Sequence, residues 1–332
     1  MTEPLVDSFG RVHRDLRISL TDRCSLRCTY CMPADGVPWL AGATMLSTPE
    51  IERIARVAVR MGITEVRLTG GEPLLRADIV DVVARLAALE GTEGHPEISL
   101  TTNALRLPAL AAPLRDAGLA RVNISLDTLD RERFKELTRR DRLHDTLAGI
   151  AAADSVGFSP IKLNAVAMRG VNDDEVVELV RFAVTHGYQM RFIEQMPLDA
   201  GHTWDRKAMV TQAEILERLR AVFQLDEVPG RGSAPAELWF VDGGPHTVGV
   251  IASVTAPFCG ACDRVRLTAD GQLRNCLFAQ DETDLRTMIR EGCEDEEIAA
   301  AIRSSLAGKR AGHGIDDPGF LQPRRPMSAI GG

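Results

Sequence analysis

Cysteine types and spacing carry the strongest chemical signal in this 332-residue sequence. Cys24, Cys28 and Cys31 are spaced C-x3-C-x2-C, and Cys259, Cys262 and Cys276 are spaced C-x2-C-x13-C. Cys293 stands alone in an acidic stretch and reads as a small buried residue or an inert thiol. A structural zinc site is closed by four protein ligands, and an ordinary four-iron cluster takes four thiolates. Three thiolates leave one metal corner for an exogenous ligand, so each group reads as a reactive centre rather than a structural one. Zinc is the competing occupant. His13 would complete the first group, and His246 or an aspartate the second.

The elements that must position these groups alternate along the chain. Strand-like segments at 16–21, 65–69, 98–102, 121–126, 161–167 and 189–195 are separated by helix-like segments at 49–61, 77–89, 107–117, 143–156 and 173–186. Ser47-Thr48-Pro49 is a start signal for the first helix, which gathers Ile51, Ile54, Ala55 and Ala58 on one face. Such alternation implies βα units around a parallel sheet. Six units fall two short of a closed eight-unit barrel. The expected fold is therefore α/β, an open, partial, TIM-like (βα)6 barrel.

Each strand has one apolar face: Leu16 and Ile18, Val66 and Leu68, Ile98 and Leu100, Val122 and Ile124, Leu163. The opposite face is polar: Arg17 and Ser19, Arg67 and Thr69, Ser99 and Thr101, Asn123 and Ser125, Lys162 and Asn164. Parallel strands buried on both faces read as continuous apolar runs. Here the polar face must look into a polar space, and Arg17, Arg67 and Lys162 require a counter-charge that an anionic ligand would supply. A half-exposed antiparallel sheet shares this alternation, but long helical connections oppose it.

Past residue 200 the pattern changes to a smaller α+β region. It comprises a helix at 211–222, strands at 238–241 and 247–253, and a hairpin that turns at Asp270-Gly271 between 265–268 and 272–275. Acidic helices at 282–291 and 295–307 follow, then an extended Gly-, Pro- and Arg-rich tail from Ala311. Two domains are expected, 1–200 and 201–332, with a soft boundary at 200–235. The net charge of −8 disfavours nucleic acid as a partner. The segment from Met1 to Arg14 lacks the apolar core of a secretory signal, and no run approaches the roughly 18 apolar residues of a membrane span. A cytoplasmic protein with no membrane partner is expected, in a compartment that keeps thiols reduced.

Cys24-Ser-Leu-Arg-Cys28-Thr-Tyr-Cys31-Met-Pro resembles the hallmark of radical S-adenosylmethionine (SAM) enzymes, and Leu68-Thr-Gly-Gly71-Glu72-Pro73 resembles their glycine–glycine–glutamate motif. The resemblance implies that Cys24, Cys28 and Cys31 hold a [4Fe–4S] cluster whose fourth iron binds the amino and carboxylate groups of SAM. One electron then releases a 5′-deoxyadenosyl radical. Contacts to SAM are implied for Tyr30, Gly71, Ser125 and Met196. The two glycines let the backbone approach the methionyl amino group, and Glu72 accepts from it.

Within that superfamily the chain is most similar to the GTP 3′,8-cyclases of molybdenum-cofactor biosynthesis, over nearly its whole length. The similarity is carried by the segments Arg14–Cys24, Val66–Arg76, Asn123–Asp127, Gly170–Asp174, Arg191–Met196 and Phe258-Cys-Gly-Ala-Cys262-Asp-Arg264-Val-Arg266. It implies a second [4Fe–4S] cluster on Cys259, Cys262 and Cys276 with an open iron facing guanine. GTP contacts are implied for Arg17, Arg67, Thr101, Lys162, Arg264, Val265 and Arg266. A C-terminal Gly331-Gly332 would reach into the active site and assist catalysis. The implied activity is that of a lyase converting GTP to 3′,8-cyclo-7,8-dihydro-GTP. A cyclic pyranopterin synthase is the implied downstream protein; an electron donor and assembly as a homodimer are also expected.

Two departures stand out. Ala104 occupies a position where the family often has Gly, and Met327-Ser-Ala precedes the terminal glycines in place of the usual polar–aromatic pair. Two other readings remain: a different radical SAM enzyme with an auxiliary cluster, such as a peptide-modifying one, or a non-enzymatic electron carrier or zinc-stabilised binding protein.

Overall fold

A computed structural model describes residues 3–331. Six strands are laid down in sequence order, each parallel to the one before: β1 (Asp15–Ser19), β2 (Glu65–Thr69), β3 (Glu97–Thr102), β4 (Leu119–Ser125), β5 (Lys162–Ala167) and β6 (Gln189–Glu194). The helices between them are α1 (Thr48–Arg60), α2 (Ile79–Ala87), α3 (Leu107–Asp116), α4 (Arg131–Thr138), α5 (Leu143–Ser155) and α6 (Val176–His186). The start signal of α1 is a capping box: the Ser47 hydroxyl accepts from the Glu50 amide and the Glu50 carboxylate accepts from the Ser47 amide, with Pro49 in the first turn. The apolar strand faces are shut beneath these helices; Ile18, Val66, Leu68, Leu100, Ile124 and Leu163 have no exposed surface.

The C-terminal half contributes α7 (Gln212–Arg220), β7 (Leu225–Glu227), β8 (Glu237–Val241), β9 (Thr247–Ile251), β10 (Arg264–Leu267), β11 (Gln272–Arg274), β12 (Thr283–Asp284), α8 (Leu285–Arg290), α9 (Asp295–Ala307) and α10 (Met327–Ile330). Its strands join the same sheet. β10 lies parallel beside β1 and β9 parallel beside β6, so eight parallel strands run side by side. The expected β10–β11 hairpin is present; β11 and β12 extend one edge antiparallel, and β8 and β7 the other. Among the described residues β12 and β7 do not pair, so the twelve-stranded sheet stays open as expected, although eight of its strands are parallel, the number of a closed barrel. Among the described residues no helix is long and apolar enough to cross a membrane.

Helix α4 was not read from the sequence. It is short, strongly charged and buries only Phe134, Leu137 and Thr138. Its carbonyl groups nevertheless hold the loop that carries the first cysteines. The amides of Arg27 and Thr29 donate to Thr138 O and Leu137 O, each at 2.9 Å, and the Arg139 guanidinium donates to Arg27 O and Met32 O.

Candidate active site

The polar strand faces enclose one cavity, and all six paired-motif cysteines line it. Cys24, Cys28 and Cys31 lie on the loop after β1. Burial raises all three thiols, Cys31 to about 12, and for Cys28 the Asp127 carboxylate and the two neighbouring thiols add to the rise. Cys259 and Cys262 precede β10, and Cys276 follows β11. Cys259 is also raised by burial. At Cys262 burial pushes the same way, but Arg264 and Lys309 overcome it and bring the thiol down to about 7.

Among the described residues no three His, Cys, Asp or Glu side chains meet as a single metal ion would need. Within each triplet the buried thiols raise one another's cost of ionising, and thiolates placed so call for a cationic centre among them. That donor set fits iron–sulfur clusters. The residues weighed as zinc ligands stand elsewhere. His13 is fully buried on Asp7 Oδ2 at 3.1 Å, with Lys309 and the Asp263 backbone beside it, so it adjoins the second triplet rather than the first. His246 sits at the β8–β9 turn and does not line the cavity. His313 does line it, but both ring nitrogens are engaged: Nδ1 accepts from Ile315 N, which leaves Nε2 to donate to Ser253 O at 2.9 Å.

The glycine–glycine–glutamate segment meets a further requirement, set by the cysteine loop. A Cβ on Gly70 or Gly71 would overlap backbone oxygens of Thr21, Asp22 or Arg23, so the glycines admit the cysteine loop, and both also line the cavity. The Gly71 and Glu72 amides then donate to Thr21 O and Arg23 O, both at 2.7 Å. Glu72 is buried and already accepts from Leu74 N, Thr102 Oγ1 and Asn103 N. Its carboxylate fastens the ends of β2 and β3 to each other, with one lone pair of Oε2 left for a further donor.

Tyr30, Gly71, Ser125 and Met196 all line the cavity. The Tyr30 hydroxyl donates to Asp127 Oδ2 at 2.8 Å, while Asp127 Oδ1 accepts from Val166 N, which ties the cysteine loop to β4 and β5. Burial raises Asp127 to about 6, against these two hydrogen bonds.

Arg17, Arg67, Thr101, Arg264 and Arg266 line the same cavity, and Arg191 on β6 joins them. Lys162, at the start of β5, is not among the lining residues but has Arg191, Arg121 and Arg67 as its electrostatic neighbours. The Val265 side chain is 2% exposed and belongs to the apolar core, because successive residues of β10 face opposite ways, so only its backbone is left for a ligand contact. Arg191 was missed. It stands on the polar alternation with Met190 and Phe192 buried opposite, a signal that extends to the sixth strand the pattern of the first five. Two carboxylates stand among the cations: Asp15 pairs with Arg17 at 3.2 Å and leaves Oδ1 without a partner, and Glu65 faces Arg67, Arg121 and Lys162. Burial pushes the Arg17 guanidinium well below its ordinary value, opposed by Asp15 and reinforced by Arg67 and Arg266. Cations that outnumber the carboxylates facing them, most of them buried, form a receptor for a polyanion.

The tail enters this space. Ile330 packs with Leu198 and Phe278 and against Cys276, and the Ser328 amide points at the Cys31 sulfur. Arg266 Nη1 donates to Gly331 O at 2.6 Å, and a Cβ at Gly331 would strike Thr69 and Ser19. Gly332 lies outside the described residues.

Ala104 adopts φ +67, the left-handed region where Gly is at home, so the departure from Gly keeps the backbone turn. Relief of roughly 1–2 kcal/mol of left-handed strain is offset by a lost buried methyl and a freer unfolded chain. Ala104→Gly is therefore expected to leave the thermal midpoint within about 2 °C of the parent. A shift of many degrees in differential scanning calorimetry would show that this turn is not at its unstrained optimum with either residue.

Residues 18–183 match the family described as Radical SAM superfamily, and residues 188–315 the one described as Molybdenum Cofactor Synthesis C. The chain is 59% identical to a GTP 3′,8-cyclase of Streptomyces coelicolor, covering 99% of this chain and 96% of the relative. It is 57% identical to one of Mycolicibacterium smegmatis, covering 99% and 92%. Among solved structures, Streptococcus suis SuiB bound to SAM superposes with a TM-score of 0.59 at 17% identity, covering 91% of this chain and 68% of SuiB. That likeness concerns the fold.

Proposed function

Because this chain belongs to the GTP 3′,8-cyclases of the radical SAM superfamily, we propose that it is a lyase that uses SAM and two [4Fe–4S] clusters to convert GTP to 3′,8-cyclo-7,8-dihydro-GTP, the first step of molybdenum-cofactor biosynthesis. The observation that carries this reading is the convergence of both cysteine triplets and the cationic strand face on one cavity. Cys24, Cys28 and Cys31 would hold the cluster that works with SAM, and Cys259, Cys262 and Cys276 the second. Bound there, a cluster and SAM supply one-electron chemistry able to take hydrogen from an unactivated ribose carbon.

The chain's own residues do the placing. Tyr30, Gly71, Ser125 and Met196, all on the cavity wall, would contact SAM, with Tyr30 fixed by Asp127. Arg17, Arg67, Arg191, Arg264 and Arg266, with Thr101 and with Lys162 behind them, bind the triphosphate and ribose. The second triplet faces the base. Holding C3′ near the reacting carbon and near guanine C8 removes the entropic cost of their encounter. The tail through Gly331, held by Arg266, closes on the cavity and helps exclude water; a catalytic part for the terminal Gly331-Gly332 belongs to the same reading. An external donor supplies electrons, the product passes to a cyclic pyranopterin synthase, and a homodimer is the expected assembly.

The test is anaerobic incubation of the reconstituted protein with GTP, SAM and dithionite. An isomer of GTP, formed with 5′-deoxyadenosine, is expected. Cleavage of SAM with GTP recovered unchanged would sink the reading.

Lys162 gives it a pH signature. Burial, then Arg191 and Arg121, brings this ammonium down to about 8. A bound triphosphate favours its protonated form, so binding takes up a proton above that value. The Kd for GTP should be flat below pH 8 and rise above it, by up to about tenfold per unit. In Lys162→Arg the rise that starts at pH 8 should be lost and any remaining rise should begin only near pH 9, where the buried Arg191 guanidinium starts to lose its proton. Equal slopes in the two proteins, measured by isothermal titration calorimetry from pH 7 to 9.5, would remove Lys162 from the site.

A further inference from the structure

Lys309 lies just beyond α9 and is 4% exposed. Burying an ammonium without an anion beside it is costly. Among the described residues it makes two polar contacts and neither is to a carboxylate: Nζ donates to Arg264 O at 2.8 Å and stands 3.6 Å from Cys262 Sγ, within hydrogen-bond reach of sulfur. The other charged or titratable groups facing it are Cys276, Arg11, Arg264 and His13. Three of those four are basic, so the anion that justifies this burial has to come from the sulfur side.

The first triplet is set differently. The groups that donate to its sulfurs are neutral: Leu26 N to Cys24 Sγ at 3.4 Å, Asn103 Nδ2 to the same sulfur at 3.9 Å, and the Ser328 amide to Cys31. The two triplets therefore differ in a property that tunes iron–sulfur centres, the charge carried by donors to the ligating sulfurs.

We propose that Lys309 is a positioning residue for the second cluster, its ammonium donating to the Cys262 sulfur and thereby raising that cluster's reduction potential. One-electron reduction adds negative charge to the cluster, and a fixed cation at a ligating sulfur stabilises the reduced member of the couple more than the oxidised one. This rests on the reading that Cys259, Cys262 and Cys276 hold such a cluster.

The experiment separates the two claims. Full-length protein carrying Cys24→Ala, Cys28→Ala and Cys31→Ala is reconstituted anaerobically, so that iron and sulfide report the second triplet alone. Zinc without sulfide in that protein would overturn the cluster reading and this inference with it. With the cluster present, Lys309→Arg, Lys309→Gln and Lys309→Met are compared with Lys309 in dithionite titrations followed by electron paramagnetic resonance. Arg keeps the charge and the donor, Gln the donor alone, and Met neither. The midpoint should stay near the parent value in Arg and move progressively negative in Gln and Met. Four superimposed titrations, or a positive shift in the neutral variants, would overturn the proposal. If Lys309→Met does not retain iron, the Arg–Gln pair decides, because those two differ in charge while both donate.

Discussion

Cys24→Ala is expected to bring 5′-deoxyadenosine formation down to the buffer background, whereas Cys276→Ala leaves SAM cleavage within about tenfold of the parent and removes the GTP isomer. The expected loss in Cys24→Ala exceeds the roughly 10–100-fold that outer-shell changes cause, because a ligand itself is gone. The split is argued from how each triplet is built. The first loop is held by backbone: Gly71 and Glu72 amides on Thr21 O and Arg23 O, and Arg27 and Thr29 amides on the end of α4. None of these bonds uses a thiol, so although Leu26 N and Asn103 Nδ2 lose their long contacts to the Cys24 sulfur, the backbone frame of the loop persists when Cys24 becomes Ala and the main defect is at the metal. Cys276 belongs to a different element, after β11, where the neighbouring Asn275 side chain donates to Ser305 O at 2.7 Å. Its removal leaves the first loop untouched. Iron analysis supplies the control: Cys276→Ala should retain about half of the parent's iron. If Cys276→Ala instead stops SAM cleavage with the first cluster intact, the two triplets do not divide the labour as proposed.

What the sequence made legible was whatever depends on period two and on short spacing. Arg17, Arg67, Thr101, Asn123 and Ser125 share a face because alternate residues of a strand must, and the cavity lies on that face. The same rule places Val265 in the core between Arg264 and Arg266, which a motif treated as a block conceals. The pairing of β1 with β10 and β6 with β9 was not legible. It joins segments far apart in the chain, and nothing local in the residues around 264 or 248 names a partner strand. Helix α4 escaped for the opposite reason: its worth lies in backbone carbonyls that hold the cysteine loop, and carbonyls have no sequence signature. Gly70 and Gly71 were conspicuous, but the cause of their smallness, the backbone of Thr21 to Arg23 pressed against them, appears only in three dimensions. Lys309, a single lysine after an acidic helix, looks like a solvated charge until burial is known.

Arg191→Met should make the unliganded protein more stable and GTP binding much weaker. The guanidinium is 6% exposed, and its partners are neutral: Nε donates to Asn164 Oδ1 at 2.9 Å and Nη2 to Asn123 Oδ1 at 2.7 Å. Burial, then Arg67 and Arg121, brings its pKa down to about 9. A cation whose folded-state value is depressed is disfavoured by folding at neutral pH, and the penalty is relieved as pH rises through 9 or when the charge is removed. Replacing a buried ion by an apolar side chain of similar length is often stabilising by about 1–4 kcal/mol. Two amide oxygens left without a donor return part of that, so a net gain of about 1 kcal/mol and a midpoint roughly 2 °C higher are expected. Binding moves the other way. A charge-assisted hydrogen bond to a phosphate contributes about 1.5–3 kcal/mol, which corresponds to a KM for GTP some 10- to 100-fold higher. Turnover at saturating GTP should fall less than KM rises, since the lost contact serves binding in ground and transition states alike. The opposite signs distinguish a receptor for substrate from a structural anchor. A guanidinium that merely tied β4, β5 and β6 together would lower stability when removed and leave KM where it was. A lower midpoint with an unchanged KM would therefore assign Arg191 to the scaffold and take it out of the substrate site.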